Sequence, residues 1–351
     1  MARYKDQLRR ELKAFDRQQP YQHAAFYSQL YTNTPGFLPD AVLKEVEAVT
    51  LDDLRRFGNL LWDKCFGEVL VQGNILEDEA RGLVGSVERA LNFTELEKAD
   101  QGRTDIYSIP LSPKSIGNVI RIKEPNEGDR NSAVIVQVQN VDQTLKQQMA
   151  MEVLASIVEQ PFYSDLRTNQ QLGYIVSSGV KLQNDVRSLV LTVQSDFADA
   201  VYLTDKIFVF LKDFASVLDQ MSEKEIKGYI GGLADIKRQK ITRLSDETSR
   251  NWDEIVEGKY QYDRALVEAK VVEELNKETL RSVWQDVVAE GGARRRVLTC
   301  QVFTQADAKS MDQFSSPLPA GATLLPDADT FRRTAQVIVP LQGNSPALAP
   351  S

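Results

Sequence analysis

An internal repeat is the feature of this 351-residue chain that most restricts its possible folds. Residues 43–55 and residues 269–281 share five identical amino acids at a constant spacing of 226 positions. The identical pairs are Lys44 and Lys270, Val46 and Val272, Glu47 and Glu273, Leu54 and Leu280, and Arg55 and Arg281. Thr50 and Asn276 stand at equivalent positions, and both suit a helix N-cap because a short side-chain oxygen accepts from first-turn amides. Each copy is therefore predicted to contain a helix, an N-cap and a second helix.

The order of elements around the two copies also matches. A strand is predicted at residues 67–72 after the first copy and at residues 296–303 after the second. Charged amphipathic helices are predicted before the copies, at residues 3–17 and 223–240. Five identities alone could arise by chance between two helices, but the shared order of elements favours a duplication.

The two copies differ in what precedes them. Strands and helices over residues 118–220 come before the second copy, and no equivalent stretch comes before the first. We expect one partial and one complete module, and a partial module would leave an apolar face uncovered. The chain is thus expected to be a fragment or a subunit completed by another chain. The predicted divisions are a partial module over 1–95, a linker over 96–117, a complete module over 118–305, and a partly disordered tail over 306–351.

The complete module has an α+β pattern. The predicted strands cover residues 118–124, 131–139, 173–182 and 186–195, and Gln183, Asn184 and Asp185 form a hairpin turn. The second strand alternates valine with glutamine, a pattern typical of a half-buried strand. Long helices are predicted between these strands and after them, so we expect an antiparallel-rich sheet with helices concentrated on one face. In the tail, residues 331–340 are expected to pack back as a short extended piece.

Charge and composition exclude several functional classes. The net charge of −8 argues against a general nucleic-acid binder. No apolar run approaches the roughly 20 residues of a membrane span. Two cysteines do not form a disulfide framework, which favours a reducing compartment. The run of Arg294, Arg295 and Arg296 is interpreted as the charged start of a strand.

The chain contains one histidine, His23. The zinc-peptidase motif H-x-x-E-H needs two histidines on one helix, so this chain cannot form it. His23 is predicted to be a packed or capping residue. A metal site built from His23, Cys65, Cys300 and a carboxylate is a less favoured alternative. The Walker, G-x-G-x-x-G and G-x-S-x-G motifs are also absent from the sequence.

Residues 161–176 form the most informative segment for function. They read Pro-Phe-Tyr-Ser-Asp-Leu-Arg-Thr-Asn-Gln-Gln-Leu-Gly-Tyr-Ile-Val and predict a helix end, a turn and a strand start. Arg167 and Tyr174 stand on either side of that turn. A guanidinium and a phenol can stabilise negative charge on the carbonyl oxygen of a peptide bond under hydrolysis. The alternative interpretation is that Arg167 pairs with Asp165 or another surface carboxylate and that Tyr174 is an ordinary aromatic residue of the strand.

This segment resembles the C-terminal half of the insulysin/nardilysin branch of the M16 zinc metallopeptidases. Leu166, Thr168, Gln171, Leu172 and Gly173 carry the resemblance together with Arg167 and Tyr174. The resemblance implies an M16 split α/β roll, with this chain covering the latter part of the third family domain and all of the fourth. It implies that Arg167 and Tyr174 reach a bound peptide across a closed chamber, with Tyr163 and Ser164 as further substrate contacts. Ser164 departs from the family pattern, in which a larger amide is usual.

The resemblance implies further properties. The full-length enzyme would hold zinc in its N-terminal half, and this chain would bind no metal and be inactive alone. The expected partners are peptide substrates, the zinc-bearing half and a second copy in a homo-oligomer such as a dimer, with no nucleic acid or membrane, in the cytoplasm. Lys240 and Arg243 match positions of a polyanion-binding region, although a solvated helix end is the simpler interpretation. The connector Tyr260–Arg264 also resembles the family.

Two functional hypotheses follow from these expectations. In the first, the chain is the non-zinc half of a zinc metalloendopeptidase, closes over peptides and supplies Arg167 and Tyr174 for proteolysis. In the second, it is an inactive M16-like subunit that binds peptides or a partner chain. An upstream reading frame encoding H-x-x-E-H would favour the first.

Overall fold

The computed structural model describes residues 1–91, 93–97, 105–183, 185–306 and 317–339. Its helices are α1 Ala2–Ala14, α2 Pro20–Thr32, α3 Pro39–Ala48, α4 Leu51–Leu61, α5 Glu77–Leu91, α6 Leu145–Tyr163, α7 Ala200–Gln220, α8 Glu223–Arg238, α9 Leu244–Val256, α10 Arg264–Glu273, α11 Lys277–Val283 and α12 Ala328–Thr334. Its strands are β1 Asn33–Thr34, β2 Lys64–Cys65, β3 Thr94–Glu95, β4 Asp105–Tyr107, β5 Asn118–Lys123, β6 Ser132–Asn140, β7 Ile175–Gln183, β8 Val186–Ser195, β9 Val297–Phe303, β10 Thr323–Leu324 and β11 Val337–Ile338. Residues 98–104 of the predicted linker, the turn residue Asn184, and residues 307–316 and 340–351 of the predicted tail lie outside the described residues.

The main sheet has six strands in the order β10-β5-β9-β6-β8-β7. The pairs from β9 to β7 are antiparallel, while β5 runs parallel to both of its neighbours. The predicted α+β class with an antiparallel-rich sheet is confirmed. The predicted hairpin corresponds to β7 and β8, which pair from Ile175 opposite Gln194 to Gln183 opposite Val186.

Helices cover both faces of this sheet, most of them on one face. α6, α7 and the Trp284–Val288 π-helical turn pack against the face that carries Val134, Val136 and Val138. α2 and α12 pack against the opposite face through Tyr31 and Phe331. Because both faces are covered, all nine residues of β6 are buried. The prediction of a half-buried strand there was therefore wrong.

The two copies of the repeat form the same helices. Thr50 caps α4 by accepting from the Asp53 amide, and Asn276 caps α11 by accepting from the Thr279 amide. Both predicted N-caps are confirmed. The predicted strand over residues 67–72 is wrong, because these residues have no strand assignment and Val69 and Val71 are exposed. A strand needs a hydrogen-bonded neighbour, and the paired β2 and β3 involve other residues.

The chain after β9 returns to the body of the molecule. An extended piece was expected over residues 331–340. Val337–Ile338 form the strand β11, which pairs antiparallel with β4, whereas residues 331–334 belong to α12, which Asp327 caps by accepting from the Thr330 amide. The Phe331 ring contacts Tyr31 of α2, with centroids 5.7 Å apart. Within the described part of the chain, no helix is long and apolar enough to cross a bilayer.

Candidate functional site

The segment around Arg167 links α6 to β7 through a π-helical turn. α6 ends at Tyr163, and residues Ser164–Asn169 continue as the π-turn. Pro161 lies in the last turn of α6, where it lacks the N–H that would continue the regular α-helical hydrogen bonds. π-turns inside helices are frequent at functional sites. The predicted order of helix end, turn and strand start is confirmed.

Arg167 and Tyr174 lie against each other. The Arg167 Nη1 donates to the Gly173 carbonyl at 2.7 Å, which closes the turn over six residues. The guanidinium carbon lies 4.3 Å from the centroid of the Tyr174 ring, a cation–π geometry. The alternative pairing with Asp165 does not form, because Asp165 accepts instead from the Gln170 side chain at 3.1 Å. The structure thus brings together the two residues that the sequence separates by seven positions.

Two backbone positions hold this turn in shape. Gln171 has a φ of 54°, in the left-handed region that residues other than glycine rarely adopt. At Gly173, an added Cβ would lie 1.9 Å from the Gln194 carbonyl oxygen, so only glycine fits. The buried Leu172 amide donates to the Leu166 carbonyl at 2.9 Å. These contacts fix the direction of the backbone where it leaves the turn at Tyr174.

The side chains of the segment differ in accessibility. Tyr174 is 87% exposed, and its hydroxyl has no protein partner among the described residues. Tyr163 is also exposed, while Ser164 is half-buried and its Oγ accepts from the Gln160 side chain at 3.0 Å. The site therefore offers an open phenol and a partly engaged guanidinium, and both can donate to an oxygen of a bound molecule.

The predicted polyanion residues lie in the loop between α8 and α9. Lys240 and Arg243 are exposed there and have no ion pair within the described residues. The preceding Lys237 is bonded to Glu152 and Glu268, at 2.9 and 2.8 Å, in a buried network. Arg187 of β8 completes this network by bonding the same two carboxylates at 2.8 and 2.7 Å. Lys237 is therefore held in the buried network, and the loop keeps two separated basic residues, Lys240 and Arg243.

His23 is fully buried, as predicted for a packed histidine. Its Nδ1 lies 2.9 Å from Glu124 Oε2, and its Nε2 lies 2.8 Å from the Phe15 carbonyl oxygen. Burial opposes protonation of His23, but these hydrogen bonds outweigh it and raise the pKa of His23 above 6.5. Burial raises the pKa of the Cys300 thiol to about 12. Within the described ranges, no group of three or more His, Cys, Asp or Glu is arranged to hold a metal ion.

The arginine run at 294–296 has a role that the sequence analysis missed. Arg295 is buried and donates to the carbonyls of Val288, Ser112 and Ser115. Burial lowers the pKa of Arg295 to about 10. The run does stand directly before β9, as interpreted, and Arg295 in addition holds residues 112–115 against the start of that strand. Three consecutive arginines before a buried strand were the only available signal.

Large apolar side chains are exposed in α4, at its C-terminal end and in α5. These residues, here called together the α4–α5 face, are Leu54, Phe57, Leu60, Leu61, Trp62, Leu83 and Val87. Phe57 and Leu60 are each more than half exposed. Apolar patches of this kind usually mark interaction sites.

Comparison with known proteins gives one family profile and several relatives. Residues 153–252 match the profile described as PQQ synthase PqqF-like, C-terminal lobe domain 4. Insulin-degrading enzyme from Mus musculus is 28% identical over 311 residues, which cover 86% of this chain and 29% of that protein. The chain therefore spans less than a third of this relative's length.

Solved structures show the same fold. Pitrilysin superposes with a TM-score of 0.80 at 17% identity, covering 97% of this chain and 35% of pitrilysin. A peptidase M16 inactive domain from Pseudomonas fluorescens superposes with a TM-score of 0.57 at 15% identity, covering 86% of this chain and 69% of that one. The predicted M16 peptidase-like fold is confirmed.

Proposed function

We propose, from its homology to insulin-degrading enzyme and nardilysin of the M16 family, that this chain is the C-terminal, non-zinc half of a zinc metalloendopeptidase. The observation that carries the proposal is the Arg167–Tyr174 pair, in which a guanidinium supports an open phenol on a rigid turn. In this function the chain encloses a peptide together with the zinc-bearing half.

The two side chains have distinct roles in the proposal. The Tyr174 hydroxyl donates to the scissile carbonyl oxygen as negative charge develops there during hydrolysis. Arg167 holds the Tyr174 ring and directs its remaining N–H groups to peptide carbonyls in the ground state. Tyr163 and Ser164 line the approach to the pair as substrate contacts.

Zinc belongs to the missing half in this proposal. The one histidine of the chain offers zinc no free ligand atom, because its two ring nitrogens lie against Glu124 Oε2 and the Phe15 carbonyl oxygen. Within the described residues, no cluster of three or more His, Cys, Asp or Glu side chains is arranged to hold a metal ion. The α4–α5 face is proposed to pack against the remaining part of its own module in the longer enzyme, as α6, α7 and β6 pack against the equivalent residues of the second copy. We also propose that the chain forms a homo-oligomer, is located in the cytoplasm and binds polyanions through Lys240 and Arg243.

The test is reconstitution with a zinc-bearing M16 half. Tyr174→Phe should lower kcat and kcat/KM together by roughly 10²–10³, with little change in KM, since the lost donor acts mainly in the transition state. Arg167→Ala should cost at least as much and also raise KM. The matched control is Tyr202→Phe. Tyr202 is also exposed, and the Lys206 Nζ lies 5.1 Å from the centroid of its ring. Full activity of Tyr174→Phe would show that the catalytic assignment is wrong.

A second candidate is an inactive subunit that binds peptides or a partner chain. The observation that favours it is that the one histidine is buried and hydrogen-bonded to Glu124, so it is not available as a zinc ligand. Reconstitution separates the candidates, because only the first predicts peptide hydrolysis that depends on Tyr174.

A further inference from the structure

The two edge strands of the main sheet differ in length. One edge ends in the two-residue strand β10, and the other ends in the nine-residue strand β7. β7 reads Ile-Val-Ser-Ser-Gly-Val-Lys-Leu-Gln, with no proline and a single charge. Proteins usually blunt edge strands with prolines, charges, bulges or short length, because an open edge pairs with other chains. Among the described residues, no strand pairs with the outer edge of β7.

A glycine, Gly179, lies in the middle of β7. At Gly179, an added Cβ would meet nothing within 4 Å, so packing within the chain does not require glycine there. A glycine inside a strand often marks a place where a ligand or second backbone approaches closely. Ser177, Val180 and Leu182 are exposed around it. An added strand would cover part of this surface.

Lys181 is the only charged residue of β7, and the sequence analysis did not single it out. It is half-buried and forms no ion pair within the described residues. Desolvation lowers the pKa of Lys181 to about 8. A carboxylate on a molecule bound beside the strand would stabilise the charged form of Lys181 through a charge-assisted hydrogen bond.

The open edge is continuous with the Arg167–Tyr174 pair. β7 begins at Ile175, directly after Tyr174, and the Arg167 guanidinium bonds the Gly173 carbonyl just before it. Seven residues separate Tyr174 from Lys181, which corresponds to about 23 Å of extended chain. A peptide paired with the edge would therefore pass from Lys181 to the Arg167–Tyr174 pair.

We infer that the outer edge of β7 binds an extended peptide by main-chain pairing, and that Lys181 selects an acidic side chain about seven residues from the peptide bond at Tyr174. This inference rests on the proposed function and adds a substrate class to it. A second copy of β7 fits the edge less well, because β7 contains no aspartate or glutamate to meet Lys181.

The pairing is tested by fluorescence anisotropy with the intact chain. The probe is a fluorescein-labelled peptide of about 12 residues that alternates threonine and valine and carries one glutamate. Because alternate residues of a strand face its neighbour, N-methylation of one alternate set should weaken binding at least about tenfold. N-methylation of the other set should change it little. Equal tolerance of both sets, or no binding, would overturn the inference.

Protein variants test the location and the charge preference. Val180→Lys should weaken peptide binding about tenfold or more, since a charge at an edge blunts pairing. The control Val209→Lys, at an exposed position of α7, should leave binding unchanged. Lys181→Gln should abolish the preference for glutamate over glutamine in the probe, and Lys181→Glu should reverse it. An unchanged preference would show that Lys181 is not the selecting residue.

The outcomes separate this inference from the proposed function. Edge binding is measured without the zinc-bearing half and without hydrolysis. Reconstituted hydrolysis that depends on Tyr174 but ignores Val180→Lys would overturn the edge inference alone. Edge binding without any reconstituted hydrolysis would overturn the proposed function alone. If Val180→Lys changes only the sedimentation of the chain and no peptide binds, the edge pairs with a second copy and the inference is wrong.

Discussion

The two copies of the internal repeat have similar sequences and opposite environments. Leu280 of the second copy is fully buried, whereas Leu54, its identical equivalent, is 47% exposed. Val287 is also fully buried, and its equivalent Leu61 is 45% exposed. In the second copy α6, α7 and β6 cover these positions. In the first copy the equivalent residues form the α4–α5 face.

The comparison shows which features of the two copies depend on neighbouring residues and which depend on tertiary contacts. Both copies form two helices with a side-chain N-cap, because these depend on neighbouring residues. Only the second copy continues into a long central strand, because β9 lies between β5 and β6. Residues 67–72 lack such neighbours, which is why the same pattern gives no strand there. Burial and strand formation are therefore contributed by the rest of the module.

The largest expected effect distinguishes the two leucines. Leu280→Ala should lower the free energy of unfolding by about 2–5 kcal/mol, because it removes buried contacts and leaves a cavity. Leu54→Ala should change it by less than about 0.5 kcal/mol, as for an exposed residue. Urea denaturation of both variants measures the difference. A large cost for Leu54→Ala would mean that another chain covers the α4–α5 face in solution, and its dependence on protein concentration would then identify a homo-oligomer.

The sequence predicted those features that depend on nearby residues. The helices, both N-caps and the turn between α6 and β7 follow from caps, prolines and periodicity. The stacking of Arg167 on Tyr174 could not be predicted, because it depends on the fit of Gly173 against Gln194 in β8. The burial of β6 on both faces and the helical form of residues 328–334 likewise depend on α2, which is distant in sequence.

A smaller effect concerns the link between the N-terminal helices and the main sheet. His23 of α2 joins the Phe15 carbonyl to Glu124, which follows β5. His23→Gln should cost about 1–3 kcal/mol, because buried hydrogen bonds to a charged group are lost. Since the chain has one histidine, an imidazole NMR signal reports on this residue alone. A melting temperature unchanged by His23→Gln would show that the link contributes nothing to the stability of the fold.

The pH dependence of this link has a definite sign. The pKa of His23 is raised on folding, so its contribution is fully present below the unfolded value of 6.5. That contribution is lost as pH rises through the folded pKa. The difference in melting temperature between the native chain and His23→Gln should therefore shrink as pH rises above about 6.5 and passes through the raised folded pKa of His23. A difference that grows with pH would contradict this sign.

The smallest effect should be equal in the two copies. Thr50→Ala and Asn276→Ala each remove the oxygen that accepts from a first-turn amide, of Asp53 and Thr279 respectively. Each change should lower helix stability by about 1 kcal/mol, since a cap is a local interaction that burial elsewhere does not alter. Amide hydrogen exchange in α4 and α11 measures the two effects separately, and Thr50→Ser and Asn276→Asp, which keep the acceptor, serve as controls. If Thr50→Ala leaves exchange in α4 unchanged while Asn276→Ala speeds it in α11, the first-copy helix is stabilised by something other than its own sequence. The similarity of the copies would then not extend to their local structure.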